Sequence, residues 1–279
     1  MLLSLLLSAS TLLAADARVG LEPLGRFDLT RIPESSGVVK SRRHPDVFWV
    51  HNDSGNLPLL YAITREGRIL GTRRVAAANL DWEDIAADGR GRLYIGDIGS
   101  NKGFLRLRVV HRIDEPDPTG PDRPYAGPAD SSWYSMPIDD RFDAESLVYD
   151  DDGDRAVVIT KRLDGGEAEL REVPFNPPAP LAKPASPRRI GVLPGFVEPA
   201  TGADLSADGR LLAVCGNRVV RVYERPDDRA WDTLKLLAEV KIREKQQVEG
   251  IAWDGLDLIL VSEGRGVDRI TEKVWKKKP

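Results

Sequence analysis

Four times in this chain an Asp-Gly turn is followed, after a short apolar run, by a polar residue nine positions beyond the aspartate. The aspartates are Asp88, Asp152, Asp208 and Asp254, and the polar residues are Asp97, Lys161, Asn217 and Glu263. A fifth copy has a shorter lead, from Asp46 through an apolar run to His51 and Asn52. The polar residues recur at intervals of 45 to 64 positions. An internal repeat of this length, built from short strands and turns, is typical of radial β architecture.

Each repeat has room for four short strands. The last repeat continues through residues 269–275 and ends before a fourth strand, whereas residues 24–29 form an apolar and polar run that precedes the first repeat. An N-terminal strand that completes the last sheet removes an open sheet edge. The sequence therefore predicts an all-β fold, a five-bladed β-propeller of four-stranded antiparallel blades closed by an N-terminal strand. Six blades are the alternative.

The ends and the composition of the chain indicate an exported protein. Residues 1–17 are apolar and end in Ala15-Asp16-Ala17, as in a signal peptide, so we expect a secreted or periplasmic location. Residues 18–275 then form a single propeller domain, which we expect to be a monomer, and residues 276–279 form a basic tail. The one cysteine, Cys215, excludes a disulfide framework. A net charge of −4 gives no basic field for nucleic acid, and no later segment is apolar for long enough to span a membrane.

Polar residues from two strands of every blade are expected to meet at one mouth of the central channel. In an antiparallel blade the start of the first strand and the end of the second lie on the same face of the disc. The first strands contribute Glu83, Glu145 and Glu249, and the second strands contribute Asn52, Asp97, Lys161, Asn217 and Glu263. Glu34 falls either in this ring or one layer above it, and Asp204 aligns with Asp84 rather than with the glutamates. Asp53, Asn101 and Arg162 are adjacent residues that could reach the same mouth.

Crowded carboxylates repel one another, so some must be protonated, paired with a base, or bridged by a cation. Carboxylate and amide oxygens without sulfur ligands suit a hard cation such as Ca²⁺. The alternative is a solvated ring in which Lys161 is the internal counter-ion. The sequence leaves both arrangements open.

Four motifs resemble a group of secreted bacterial β-propeller proteins of unassigned activity. They are His51-Asn52-Asp53-Ser54-Gly55, residues 81–86 (DWEDIA), residues 96–101 (GDIGSN) and Val248-Glu249-Gly250. The chain is more distantly similar to the calcium-dependent gluconolactonase and paraoxonase propellers. That resemblance implies a calcium ion held by Glu34, Asn52, Asp97, Asn217 and Glu263, although those families have six blades and Lys161 occupies one matching position. By blade count alone the chain resembles five-bladed furanosidases.

Three functions follow from these observations. With a bound cation, the mouth suits metal-assisted hydrolysis of a lactone or phosphate ester, in which Glu83 or Glu249 activates water and Lys161 stabilises negative charge. The second function is a non-catalytic propeller that binds a small molecule, a carbohydrate or a protein at this mouth. The third is hydrolysis of a furanoside by the carboxylates without a metal.

Overall fold

The computed structural model describes residues 18–100, 106–119, 129–136, 139–175, 186–243 and 246–276. Within these ranges the chain forms five four-stranded antiparallel sheets, which are the blades of a five-bladed β-propeller, as the repeat predicts. Blade 1 contains β2 (Ser35–Lys40), β3 (Phe48–Asn52), β4 (Leu59–Ile63) and β5 (Ile69–Arg74); blade 2 contains β6 (Trp82–Ala87), β7 (Arg92–Asp97), β8 (Leu107–Asp114) and β9 (Asp130–Ser135). Blade 3 contains β10 (Asp143–Asp150), β11 (Arg155–Lys161), β12 (Glu169–Pro174) and β13 (Arg188–Val192); blade 4 contains β14 (Gly202–Leu205), β15 (Leu211–Gly216), β16 (Val219–Glu224) and β17 (Lys235–Lys241). Blade 5 contains β18 (Val248–Asp254), β19 (Asp257–Ser262), β20 (Gly266–Ile270) and, as its outermost strand, β1 (Glu22–Arg26).

The core lies between the blades. Five clusters of buried apolar side chains each contain residues from two neighbouring blades. One of them joins Val38 and Val50 of blade 1 to Ile259 and Val261 of blade 5. Because each second strand is covered by a blade on either side, its sequence is a nearly continuous apolar run. Five interfaces for five blades make a complete ring, and this ring fixes the positions of the first strands around the axis.

The ring is closed by the N-terminal strand, as predicted, but at shifted positions. β1 pairs antiparallel with β20, from Glu22 opposite Arg269 to Arg26 opposite Gly266. The prediction placed the closing strand at residues 24–29 and its partner at residues 269–275. The partner strand instead ends at Ile270. Glu272–Trp275 forms a short helix, α1, and its Trp275 packs into the core between blades 4 and 5. In the ranges described, no helix is long and apolar enough to cross a membrane.

The first strands of four blades carry a β-bulge at the same place. Where each pairs with the second strand of its blade, one extra residue interrupts the register. That residue is Glu83 in β6, Glu145 in β10 and Glu249 in β18, and it is Gly37 in β2. In β14 the pairing is regular, with Ala203 opposite Val214. A bulge re-aims the side chain of its extra residue, so three glutamates leave the regular alternation of their strands at one level of the channel.

Candidate functional site

A cavity of about 160 Å³ opens at the channel mouth where the first strands begin and the second strands end. We call it the mouth cavity. Every residue that lines it is polar: Glu34, Ser35, Ser36, Asp53, Glu83, Glu145, Lys161, Gln247, Glu249 and Glu263. Six carboxylates and one lysine therefore face the same small volume. Such a site favours cations and disfavours its own full ionisation.

Two carboxylates of the cavity lining and a third carboxylate next to them are close enough to share one ligand. Oxygens of Asp53, Asp81 and Glu83 all lie within 4.8 Å of one another. Asp53 directly follows β3, Asp81 directly precedes β6, and Glu83 is the bulge residue of β6. We call Asp53, Asp81 and Glu83 the carboxylate trio. Gly99 makes room for it, because a Cβ atom there would lie 1.9 Å from Oε1 of Glu83.

The negative charges of the carboxylate trio are not balanced by described basic side chains in direct contact with it. Among the described residues, none donates a hydrogen bond to the Glu83 carboxylate, and no lysine or arginine forms an ion pair with any of the three. Burial, and then the neighbouring Glu145 and Asp53, hold the pKa of Glu83 well above its ordinary value. Burial likewise raises the pKa of Asp81 and of Asp53. Each of the three carboxyl groups is therefore easier to protonate than an exposed one, and an added positive charge would oppose this effect.

Lys161 neutralises a different carboxylate. Its Nζ donates a hydrogen bond to Oε1 of Glu145, whereas the buried Oε2 of Glu145 has no hydrogen-bond partner among the described residues. Burial raises the pKa of Glu145 to about 7, against the opposing effect of Lys161. Burial and the charge of Glu145 raise the pKa of Glu249 to about 8. The pKa of Lys161 is raised, because the attraction of Glu145 and Glu83 outweighs the effect of burial.

The structure brings together seven of the predicted site residues. Glu34, Asp53, Glu83, Glu145, Lys161, Glu249 and Glu263 line the mouth cavity. The bulges settle the two alignments of Glu34, because Gly37 occupies the position of the three glutamates. Glu34 consequently lies above that level, exposed, with its Oε2 accepting a hydrogen bond from Asn56 at 2.7 Å.

The remaining predicted site residues do not line the cavity. Asn52 accepts a hydrogen bond from the backbone of Glu34 and donates one to the carbonyl of Arg31, and Asp97 accepts one from the backbone of Asp81. These side chains hold the loops that carry the site. Asn217 is exposed on the turn between β15 and β16, and Arg162 pairs with Asp164. Asp204 is buried deeper, where it accepts a hydrogen bond from the backbone of Trp253 at 2.8 Å. Asn101 lies outside the described residues.

Asp81 and Asp143 are site residues that the sequence reasoning missed. Each stands two positions before a bulge glutamate, in Asp81-Trp82-Glu83 and Asp143-Ala144-Glu145. Asp143 accepts a hydrogen bond from the backbone of Ser100 in blade 2 at 2.8 Å. The repeated Asp-x-Glu spacing was the available signal. It was hidden because the remaining blades carry Gln247, Thr201 and Ser35 at this place.

A second cavity, of about 270 Å³, lies at the opposite end of the channel. Asp150, one of its lining residues, is already satisfied, because it forms ion pairs with Arg155 and the buried Arg225 and accepts a hydrogen bond from Trp231. The mouth cavity differs in having carboxylate oxygens without described partners. For this reason we treat the mouth cavity as the candidate functional site.

Fold and site together define a five-bladed β-propeller with an acidic, lysine-containing channel mouth. No protein-family model matches the chain, and no curated protein matches it. Among solved structures, the chain is similar to the β-propeller domain of Cps50 (Swd1) from Myceliophteria thermophila, at 12% identity and a TM-score of 0.48, over 89% of this chain and 99% of that one. It is also similar to the extracellular domain of a one component system from B. thetaiotaomicron, at 14% identity and a TM-score of 0.39, over 85% of this chain and 27% of that one. Neither similarity relates the chain to the gluconolactonases or paraoxonases.

Proposed function

We propose that the mouth cavity binds a calcium ion and that the protein uses it for metal-assisted hydrolysis of a lactone or a phosphate ester. The observation that carries this proposal is the carboxylate trio. Oxygens bound to one calcium ion at about 2.3–2.6 Å lie at most about 5 Å apart. The trio meets this limit, since its oxygens lie within 4.8 Å of one another.

The same observation favours a cation over an internal counter-ion. Among the described residues, Lys161 is the one basic residue that lines the mouth cavity, and it donates its hydrogen bond to Glu145 and not to the trio. A hard cation at the trio would offset the burial and the mutual repulsion that raise the pKa values of these carboxyl groups. Glu145, paired with Lys161, and Glu249 lie outside the trio, so their carboxyl groups would be available for proton transfer.

The residues beside the trio suit acid and base roles. Bound calcium would polarise the oxygen of the bond that is cleaved. Glu145 lines the mouth cavity and burial raises its pKa to about 7, which suits its carboxylate to accept a proton from a water molecule in the cavity. Without a metal, burial and then the charge of Glu145 raise the pKa of Glu249 to about 8, which makes this carboxyl the best suited in the cavity to donate a proton to the leaving group. Lys161 would stabilise the developing negative charge.

Calcium binding is tested first. We expect elemental analysis to find calcium in the purified protein, and a chelator to lower the melting temperature. A ligand at about 100 times its Kd stabilises the folded state by about 2.7 kcal/mol, which corresponds to a shift of roughly 5–10 °C for a chain of this size. Glu83→Gln should remove the chelator effect. Glu198→Gln, whose carboxylate pairs with Arg221 outside the cavity, should retain it. A melting temperature that is insensitive to calcium and chelator in the native protein would refute the metal site.

Catalysis is tested on the calcium-loaded protein with lactones, phosphate esters and furanosides. We expect hydrolysis of a lactone or phosphate ester that is lost with chelator and falls by about 100-fold or more in Glu249→Gln, while Glu198→Gln stays active. Furanoside hydrolysis that survives the chelator would assign the site to glycoside chemistry. No activity on any of these substrates, with calcium bound, would leave the non-catalytic binding propeller as the function.

A further inference from the structure

Large apolar side chains are exposed mainly on one face of this molecule. Among the described residues nine such side chains are exposed, and three of these, Leu236, Leu237 and Leu256, lie on the outer strand of blade 4 or on the opposite face. The other six lie in segments of the mouth face. We call them the apolar rim: Leu29, Leu57, Leu80, Leu107, Leu163 and Val197.

The chain topology places the rim on the face of the mouth cavity. Leu29, Leu80 and Val197 precede the first strands β2, β6 and β14. Leu57 and Leu163 lie between the second and third strands of blades 1 and 3, and Leu107 begins the third strand of blade 2. First strands begin and second strands end at the mouth, so all six positions belong to its face. Four successive blades contribute to the rim.

The six side chains of the apolar rim are exposed to solvent. Leu163 is 79% exposed and Leu57 is 63% exposed. Single exposed leucines are ordinary, but here six of the nine exposed large apolar side chains of the described residues belong to the face that carries the polar site. None of the six lines the mouth cavity, which lies among them and is acidic.

We propose that the apolar rim and the entrance of the mouth cavity form a docking surface for a protein or peptide segment in which a lysine or arginine is flanked by apolar side chains. Charge complementarity selects the basic residue. Glu34 and Glu263 line the cavity outside the carboxylate trio, and Lys161 is already paired with Glu145. A cavity of about 160 Å³ holds roughly five waters at about 30 Å³ each, the space of one extended amine side chain. The flanking apolar side chains would cover the rim.

This docking does not rest on the proposed hydrolysis, because it uses the rim and the entrance rather than the trio. The acidic mouth would be repelled by an anionic lipid surface, because such surfaces attract basic faces of proteins. A protein partner is therefore favoured over a membrane.

The test uses a phage-displayed random peptide library selected on the native protein in buffer with chelator, followed by affinity measurement with the enriched peptides. We expect enriched sequences to place lysine or arginine beside leucine, isoleucine or phenylalanine. The combined variant Leu57→Ser, Leu80→Ser, Leu163→Ser should weaken binding about tenfold or more, and so should Glu34→Gln with Glu263→Gln. The matched control, Leu236→Ser, Leu237→Ser, Leu256→Ser, removes three exposed leucines from other surfaces and should bind as the native protein does.

Several results would overturn the proposal. They are a selection without enrichment, enriched peptides that lack a basic residue, or equal losses in the rim variant and the control. Sedimentation with phosphatidylcholine and phosphatidylserine vesicles that depends on the rim, without peptide binding, would assign the rim to lipid instead. Glu83→Gln separates this proposal from the calcium site, because it should lose calcium and still bind the peptide.

Discussion

At the scale of single residues, the mouth cavity keeps carboxyl groups in surroundings that disfavour their charge. The pKa of Glu249 is about 8 and that of Glu145 about 7, and burial is the largest cause in both cases. Lys161 opposes both shifts and forms its hydrogen bond with Glu145 alone. The folded protein therefore binds protons that the unfolded chain has already released. This difference links the stability of the fold to pH.

The pH dependence of Glu249 is testable in metal-free buffer. Its folded pKa lies above the unfolded value, so its destabilising effect is absent below about pH 4.5 and grows until about pH 8. Relative to the native protein, Glu249→Gln should gain stability as the pH rises through this window, by up to about 1.4 kcal/mol per pH unit. Urea denaturation at pH 5, 6, 7 and 8 measures this difference. Glu198→Gln is the control, and parallel curves for native protein and Glu249→Gln would contradict the argument.

A second residue, Asp84, connects three blades. Its Oδ2 accepts hydrogen bonds from the backbone of Leu147 in blade 3, at 2.8 Å, and of Ala203 in blade 4, at 3.1 Å, and its Oδ1 accepts one from Ile85. Asp84→Ala leaves three buried N–H groups without this acceptor, and each such loss costs about 1–3 kcal/mol. We expect a loss of about 3 kcal/mol or more in chemical denaturation. Asp84→Asn keeps one carbonyl oxygen and should lose less; equal stability of Asp84→Ala and the native protein would show that the blades do not depend on this carboxylate.

At the scale of elements, the bulges of β2, β6, β10 and β18 create the site. Three of them present a glutamate, but the bulge of β2 has Gly37 with φ 66°. A Cβ atom at Gly37 would lie 2.8 Å from Cα of Asp84 and 2.8 Å from Nε2 of His51. Blade 1 therefore accommodates the bulge only without a side chain. The ring of glutamates is incomplete there because the neighbouring backbone of blade 2 occupies the space.

Gly37→Ala should destabilise the protein by about 3 kcal/mol or more, because a left-handed backbone costs about 1–2 kcal/mol for a residue with a side chain and the contacts with Asp84 and His51 add to it. Gly55 is the matched control. It also has a positive φ, 77°, but a Cβ atom there meets nothing within 4 Å. Gly55→Ala should therefore lose only the backbone part, about 1–2 kcal/mol. Thermal denaturation of both variants decides the matter; equal losses would mean that the close approach to blade 2 is not restrictive.

The sequence predicts the blades far better than the details of the site. Equal spacing from Asp88, Asp152, Asp208 and Asp254 locates second strands because a strand's length and turn are local properties. A bulge depends on the pairing between two strands. The sequence of one strand therefore could not predict that Glu83 and Gly37 occupy equivalent positions. The same holds for Asp97, which stands at a repeat-equivalent position yet binds the backbone of Asp81. Residue type and spacing indicated a polar mouth, whereas the direction of each side chain required tertiary structure.

At the scale of the whole molecule, the ring depends on one short strand that joins its two ends. β1 pairs with β20 from residues 22 to 26 and lies so close to blade 1 that a Cβ atom at Gly25 would be 1.9 Å from the carbonyl oxygen of Glu66. Phe27, the next residue, is buried in the cluster that joins blades 5 and 1. Strand pairing and the core thus close the ring at the same place. Without β1, the edge of β20 would be exposed to other chains.

Deletion of residues 18–26 should consequently lower the melting temperature by roughly 10 °C. The loss of the pairing and packing of one strand lowers the free energy of unfolding by about 3–5 kcal/mol, and each kcal/mol corresponds to about 2–4 °C for a chain of this size. The control is deletion of residues 18–20, which removes the isolated bridge between Val19 and Ile242 but keeps the buried Leu21 and every pair of β1 with β20; its melting temperature should fall much less. Sedimentation velocity adds a second measurement, because an unpaired β20 edge should make the longer deletion associate as its concentration rises. If both deletions melt alike and stay monomeric, β1 does not close the ring.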